Sequence, residues 1–147
     1  MSMTGLEAFD TTIQKTNLWL HEIMDEMHSE DKRRAYVALR AVLHTLRDHL
    51  RVEDAVQLSA QLPLLIRGIY YDGWQPKGTP VKEKHLQAFL DHISMYFKNE
   101  VDLDPQAVAA AVFRVLDRHI SQGEIQDIRH LLPRHIRELW PQEAIAR

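Results

Sequence analysis

The chain repeats itself. Leu62-Pro63-Leu64-Leu65-Ile66-Arg67 returns as Leu132-Pro133-Arg134-His135-Ile136-Arg137, an offset of 70 residues from Pro63 to Pro133. The register runs well beyond this motif. Leu20 falls on Leu90, Ile23 on Ile93, Ala41-Val42 on Ala111-Val112, Leu46 on Leu116 and His49 on His119. Other pairs keep their chemistry: Trp19 with Phe89, Leu43 with Phe113, Leu50 with Ile120, Tyr70 with Trp140. No gap is needed between Phe9 and Trp140. A long period that holds apolar residues in register marks two copies of one supersecondary unit.

Within each copy the apolar spacing is helical. Ile13, Leu20, Ile23, Met24 and Met27 lie on one face of a helix expected from about Asp10 to Met27. Ser29-Glu30-Asp31 opens a second, whose stripe is Leu39, Val42, Leu43, Leu46 and Leu50. A short third begins near Glu53-Asp54 and must end at Pro63, which has no N–H to donate. A fourth follows over Leu64 to Tyr70. Tyr71 to Pro80, with two glycines and two prolines, reads as the joint, and Thr79-Pro80 as the N-cap and first position of the next helix. The second copy carries stripes Leu86/Phe89/Leu90/Ile93/Phe97 and Ala109/Val112/Phe113/Leu116/Ile120, then Ile125/Ile128/Leu132, then Pro133 to Trp140. Asp104-Pro105 starts its second helix, and Gly123 suits a helix C-cap. No segment alternates as a strand does. The expected fold is all-α, one compact domain over 1–147: about eight helices as two tandem four-helix repeats, each long, long, short, short, related by pseudo-twofold symmetry. The first repeat spans 9–72, the linker 73–80 and the second repeat 79–140.

Composition narrows the function classes. A net charge of −3 lacks the strongly basic footprint of a dedicated nucleic-acid binder. With no cysteine, disulfides, thiolate metal sites and cysteine nucleophiles are excluded. The N-terminus has no signal-peptide pattern, and no apolar run approaches the ~20 residues that cross a bilayer. The expectation is a cytoplasmic protein without membrane contact.

Ala38-Leu39-Arg40-Ala41-Val42-Leu43-His44-Thr45-Leu46-Arg47-Asp48, the two Leu-Pro-x-x-Ile-Arg motifs, Gly73-Trp74 with its trailing proline and the opening Thr4-Gly5-Leu6-Glu7-Ala8-Phe9-Asp10 together resemble the bacterial domain-of-unknown-function 2267 family. The resemblance covers nearly the whole chain. It implies a small, bacterial, helical protein with no established activity, and it offers no catalytic residues to carry over.

The repeat sorts the polar residues. A position kept in both copies reports the shared packing problem; a polar position found in one copy is where a private function sits. His49 and His119 are kept, at helix ends, and read as imidazoles donating to nearby backbone. Arg67 and Arg137 are kept, as are Asp54 and Glu124, and a salt bridge from third to fourth helix is the economical reading. His21, Asp25 and His28 are private to the first copy and share one helical face, which makes them the candidate metal ligands. The solvated polar face is the competing reading. His44 and Asp48 form an i, i+4 pair. Lys32-Arg33-Arg34 with Arg40, Arg47 and Arg51 form a basic edge interleaved with acids. Tyr70, Tyr71 and Trp74 either seal the joint between copies or serve as interface anchors.

No complete catalytic constellation emerges. The function expected is a non-enzymatic protein-interaction or regulatory module without cofactor, acting on an unknown protein partner or as a homo-oligomer. The alternatives are a histidine-dependent metal protein or enzyme and, less favoured by the charge balance, a weak nucleic-acid binder.

Overall fold

A computed structural model describes residues 2–141. Among them the chain forms eight α-helices, one short 3-10 turn and no strand. The helices are α1 (Glu7–Glu26), α2 (Lys32–His49), α3 (Val52–Ser59), α4 (Leu64–Tyr71), α5 (Leu86–Ser94), α6 (Pro105–His119), α7 (Gln122–Leu131) and α8 (Arg134–Arg137), with the 3-10 turn at Pro76–Gly78. No helix among the described residues is long and apolar enough to cross a membrane. The tail beyond Pro141 lies outside the described residues.

Four helices make the core. α1 packs on α2 and α6, and α5 packs on α6 and α2, while α2 and α6 meet across the centre. The apolar stripes explain this arrangement. Trp19, Ile23, Leu39, Val42, Leu43 and Leu46 of the first half are buried with Phe89, Ile93, Val112, Phe113 and Leu116 of the second. α4 lies against α1 and α2, and α8 against α5. Two inward anchors hold each: Ile66 and Tyr70 of α4 are fully buried, as are Ile136 of α8 and Trp140 just after it, whose indole stacks on Phe113 at 3.9 Å.

Helix starts and stops follow local chemistry. Asp31 caps α2 by accepting the Arg34 N–H, and Asp104 caps α6 by accepting from Gln106 and Ala107. α1 ends in a Schellman turn: His28 adopts φ 53, Ser29 N–H reaches Met24 O and His28 N–H reaches Asp25 O. Gly73, at φ 74, turns the chain after α4 so that Trp74 comes back onto Tyr71. Pro63 and Pro133 sit just before α4 and α8 with nearly the same backbone, φ −56 and ψ 152 against φ −56 and ψ 151.

Three expectations need correction. α5 starts at Leu86, with His85 as its N-cap residue, and not at Thr79-Pro80. Val81 to His85 offer little apolar surface to bury and include Lys82, Glu83 and Lys84, so they form a non-helical strap, with Val81 N–H donating to Asp48 O at 2.8 Å. The first helix of the second half is therefore 9 residues against 20 in the first, so "long, long" fails there. Gly123 lies inside the first turn of α7 rather than closing α6, which ends at His119 with Ile120 extended.

Candidate functional site

The first half carries an open apolar groove between the start of α1, the outer face of α4 and the first turns of α2. Its volume is about 580 Å³, and Phe9, Ile13, Tyr36, Leu64, Leu65 and Ile69 supply its walls. Phe9, Leu64 and Leu65 are 50%, 55% and 42% exposed, unusually high for three large apolar side chains that are neighbours. The groove holds its shape through polar ties. Pro63 leaves α4 without a side-chain cap of its own, and Thr12 of α1 accepts the Leu65 N–H at 2.8 Å in its place. Arg40 closes one end by pairing with Asp72 at 2.7 Å. The N-terminal segment is pinned by the Asp10 carboxylate, which accepts from Thr4 N–H at 3.0 Å, Thr4 Oγ1 at 2.8 Å and Ser2 Oγ. These hydrogen bonds, the serine's first, hold the Asp10 carboxyl below its ordinary pKa.

Behind the groove lies a buried polar cluster. His44 is 3% exposed and bridges three segments: Nε2 to Ile69 O at 2.6 Å, Nδ1 to Tyr96 Oη at 2.9 Å. A carbonyl only accepts, so Nε2 carries the proton and Nδ1 accepts from the tyrosine. Burial drives the His44 pKa below its ordinary value, with Arg47 and Arg40 adding in the same direction. Arg47, also buried, is held by the Asp48 carboxylate at 2.8 Å and donates to Tyr70 O and Asp72 O. It thus caps the end of α4 from below. The i, i+4 pair expected of His44 and Asp48 does not form, because His44 finds partners from other segments and Asp48 takes its neighbour Arg47.

The expected site residues lie apart. His21, Asp25 and His28 are exposed, and the left-handed turn at His28 takes it off the α1 face. Among the described residues no group of three or more histidine, aspartate or glutamate side chains is placed to hold a metal ion. His49 donates from Nδ1 to Thr45 O at 2.8 Å; its Nε2 is buried with no protein partner, and burial lowers its pKa. His119 instead stacks on Trp19 at 4.8 Å and turns Nε2 to Glu22 at 3.1 Å. Glu22 and Glu26 also take Arg118, tying α1 to α6.

The expected salt bridges are absent for a clear reason. Arg67 donates to Ser59 O at 3.0 Å and Leu62 O at 2.8 Å, and Arg137 to Leu132 O at 3.0 Å. Breaking a helix at proline strands its last carbonyls, and the guanidinium one turn into the next helix satisfies them. Asp54 pairs with Arg51 at 2.9 Å instead, and Glu124 accepts from Gln57 of the other half at 2.9 Å. Burial raises the Glu124 pKa.

Tyr70 is fully buried, its hydroxyl donating to Ala55 O at 2.7 Å, so it is unavailable as an interface anchor. Tyr71 is half-buried, donates to Ser59 Oγ at 2.6 Å and packs on Trp74 at 5.4 Å. The two tyrosines join α4 to α3 rather than half to half. The basic edge is dismantled too: Arg34 pairs bidentately with Glu100, Arg40 with Asp72, Arg47 with Asp48 and Arg51 with Asp54.

Sequence reasoning missed the groove. Leu64, Leu65 and Phe9 pass for core residues by composition. The signal lay in the offset, where Leu64 falls on Arg134, Leu65 on His135 and Ile13 on Glu83. Residues 16–139 match a family described as an uncharacterized conserved protein, DUF2267. No curated protein matches the chain.

Proposed function

The chain belongs to the DUF2267 family, and from that premise we propose that it is a non-enzymatic protein-interaction module, a tandem helical repeat whose first half has turned its outer face into a binding groove. Positions 70 apart are buried together along the whole core, from Trp19 and Phe89 to Tyr70 and Trp140. The packing pairs also exchange: α1 on α6 answers α5 on α2, and α4 on α1 answers α8 on α5. These observations support two copies of one unit related by a pseudo-twofold axis.

One contrast carries the functional reading. Where the second half shows Arg134 and His135, both exposed, the first shows Leu64 and Leu65 beside Phe9. Val52 and Val56, 39% and 46% exposed, likewise stand where the second half has Gln122 and Gln126. A duplicated scaffold that keeps one outer face polar and makes its twin apolar has a use for the apolar one. Tyr71 and Trp74 are read as support for α4 beneath that face. His49, His119, Arg67, Arg137, Asp54 and Glu124 are read as structural.

Site-specific photocrosslinking in the native cell tests this. A crosslinker at Leu65 is expected to trap a protein, with the adduct lost when Leu64→Arg is added, while a crosslinker at His135 traps none. Equal adducts at both positions, or none at Leu65, refute the reading.

A further inference from the structure

We infer that the groove's occupant is a second copy of this chain, docked about a two-fold axis that runs α1 antiparallel to its twin. This deepens the reading of the groove as the binding face and rests on it. Three observations carry it.

The first is a stretch of helix that the core does not use. α1 begins at Glu7, and between Glu7 and Lys15 only Thr12 is buried. Seventy positions on, the second half has no such turns: residues 77–85 lie before α5 begins at Leu86. The four-helix core therefore closes without them in one half. In the other they carry Phe9, half exposed, out beside Leu64 and Leu65.

The second is relief. Besides the groove of about 580 Å³, a second channel of about 510 Å³ runs between Pro63 and the Glu7, Ala8, Thr11 and Lys15 positions of α1. Leu64 and Thr12 line both, and Leu64 is 55% exposed while Thr12 is buried. The leucine is thus a knob between two hollows. An isologous interface needs a projection and a hollow side by side on one face, because the axis carries each projection into the other copy's hollow.

The third is charge. The ionised groups lining the larger groove are Arg40 and Asp72, and they pair with each other, so it selects neither an acid nor a base. Asp10 keeps its charge under the hydrogen bonds from Ser2 and Thr4 but lines neither hollow. The smaller channel holds Glu7 and Lys15, eight residues or roughly 12 Å apart along α1. Neither has an ion-pair partner among the described residues. Thr11, exposed, lies midway between them. Reversing α1 about an axis at Thr11 sets Glu7 of each copy beside Lys15 of the other, so the contact forms twice. A face whose charges cancel against its own reverse is complementary to itself.

Area sets the strength. A stable dimer takes ~800 Å² from each partner, more than two turns of α1 beside the 8 residues of α4 supply. The dimer is therefore a transient one, with a dissociation constant on the order of 50 µM.

The test is sedimentation of the full chain over a concentration series at low salt. A monomer–dimer equilibrium is expected, and Leu64→Arg with Leu65→His is expected to weaken it about tenfold or more. Glu7→Lys alone, or Lys15→Glu alone, sets like charges together at two places and should weaken it about tenfold. Both changes in one chain should restore it. Mixing the two single variants should also restore it, as a heterodimer. A chain that stays monomeric at about 500 µM, ten times the expected constant, overturns the second copy. In that case a Leu65 crosslink to a different protein leaves the groove standing, and no crosslink at all ends both readings. A dimer indifferent to Leu64 and Leu65, or charge variants that the double change fails to rescue, overturns the inference as well.

Discussion

The two halves bury the same positions and expose different ones. Inside, Leu46 and Leu116, Leu58 and Ile128, Ile66 and Ile136 are at most 1% exposed. Outside, α1 runs 20 residues where α5 runs 9, and its extra turns bring Phe9, Thr12 and Ile13 alongside α4. The corresponding stretch of the second half is the charged strap through Lys82, Glu83 and Lys84. The lesson is that core and surface of the two halves answer to different constraints. The core must close in both halves, and most of its large apolar residues have a counterpart 70 positions away. The surface is free to differ, and the groove is one of the places where it does.

The largest test of the shared core is a pair of deletions. Tyr70→Ala and Trp140→Ala each empty a fully buried aromatic site and are expected to cost ~3–5 kcal/mol, read by urea unfolding. If one half tolerates its deletion, the halves are not equivalent in packing. Next in size are the arginines that cover the proline breaks. Arg67→Ala and Arg137→Ala each take the guanidinium from one carbonyl, Leu62 O and Leu132 O, while Ser59 O keeps the Leu62 N–H, so each should cost about 1–3 kcal/mol. No loss in either variant contradicts the carbonyl-capping account.

The third concerns protons. His44 and His49 have folded pKa values below the ordinary 6.5. Between that value and the lowered one the unfolded chain binds protons the native chain refuses. Stability should therefore fall as pH drops from about 7 through 6.5, and level off below the folded values. The groups facing His44 are Arg40, Arg47, Asp48, Asp72 and Tyr96; those facing His49 are His92, Asp48 and Glu83. Glu124, raised by burial, acts with the opposite sign nearer its own ordinary value of 4.5. His44→Gln should flatten the acid slope relative to the parent; an unchanged slope places the proton uptake elsewhere. The smallest effect belongs to the groove. Leu64→Arg and Leu65→His should alter stability by no more than about 0.5 kcal/mol, since these side chains are half in water already. A larger loss reassigns them to the core.

How much of this the sequence disclosed follows from range. Spacings of three and four residues are visible along a chain, so the stripes, the Asp31 and Asp104 caps and the breaks at Pro63 and Pro133 could all be read. Contacts across many residues are not visible. His44 looked like a partner for Asp48, four residues on, because Tyr96 and Ile69 are 52 and 25 residues away. Arg67 looked like a partner for Asp54 because charge suggests charge, whereas the stranded carbonyls that claim it belong to every residue alike. Leu64 and Leu65 looked like core because hydrophobicity says what water dislikes and not where the chain has run out of cover.

One cross-connection has a consequence for how the molecule assembles. Gln61, just past α3, accepts the Ser121 N–H at 2.8 Å and donates to Ser121 Oγ, while Gln57 reaches Glu124. The opening turn of α7 is thus finished by side chains from the other half of the chain. Without α7, Gln57 and Gln61 lose these partners, although every residue that lines the groove belongs to the first half. The groove is composed by one half, while the α3 end of that half is tied down by the other.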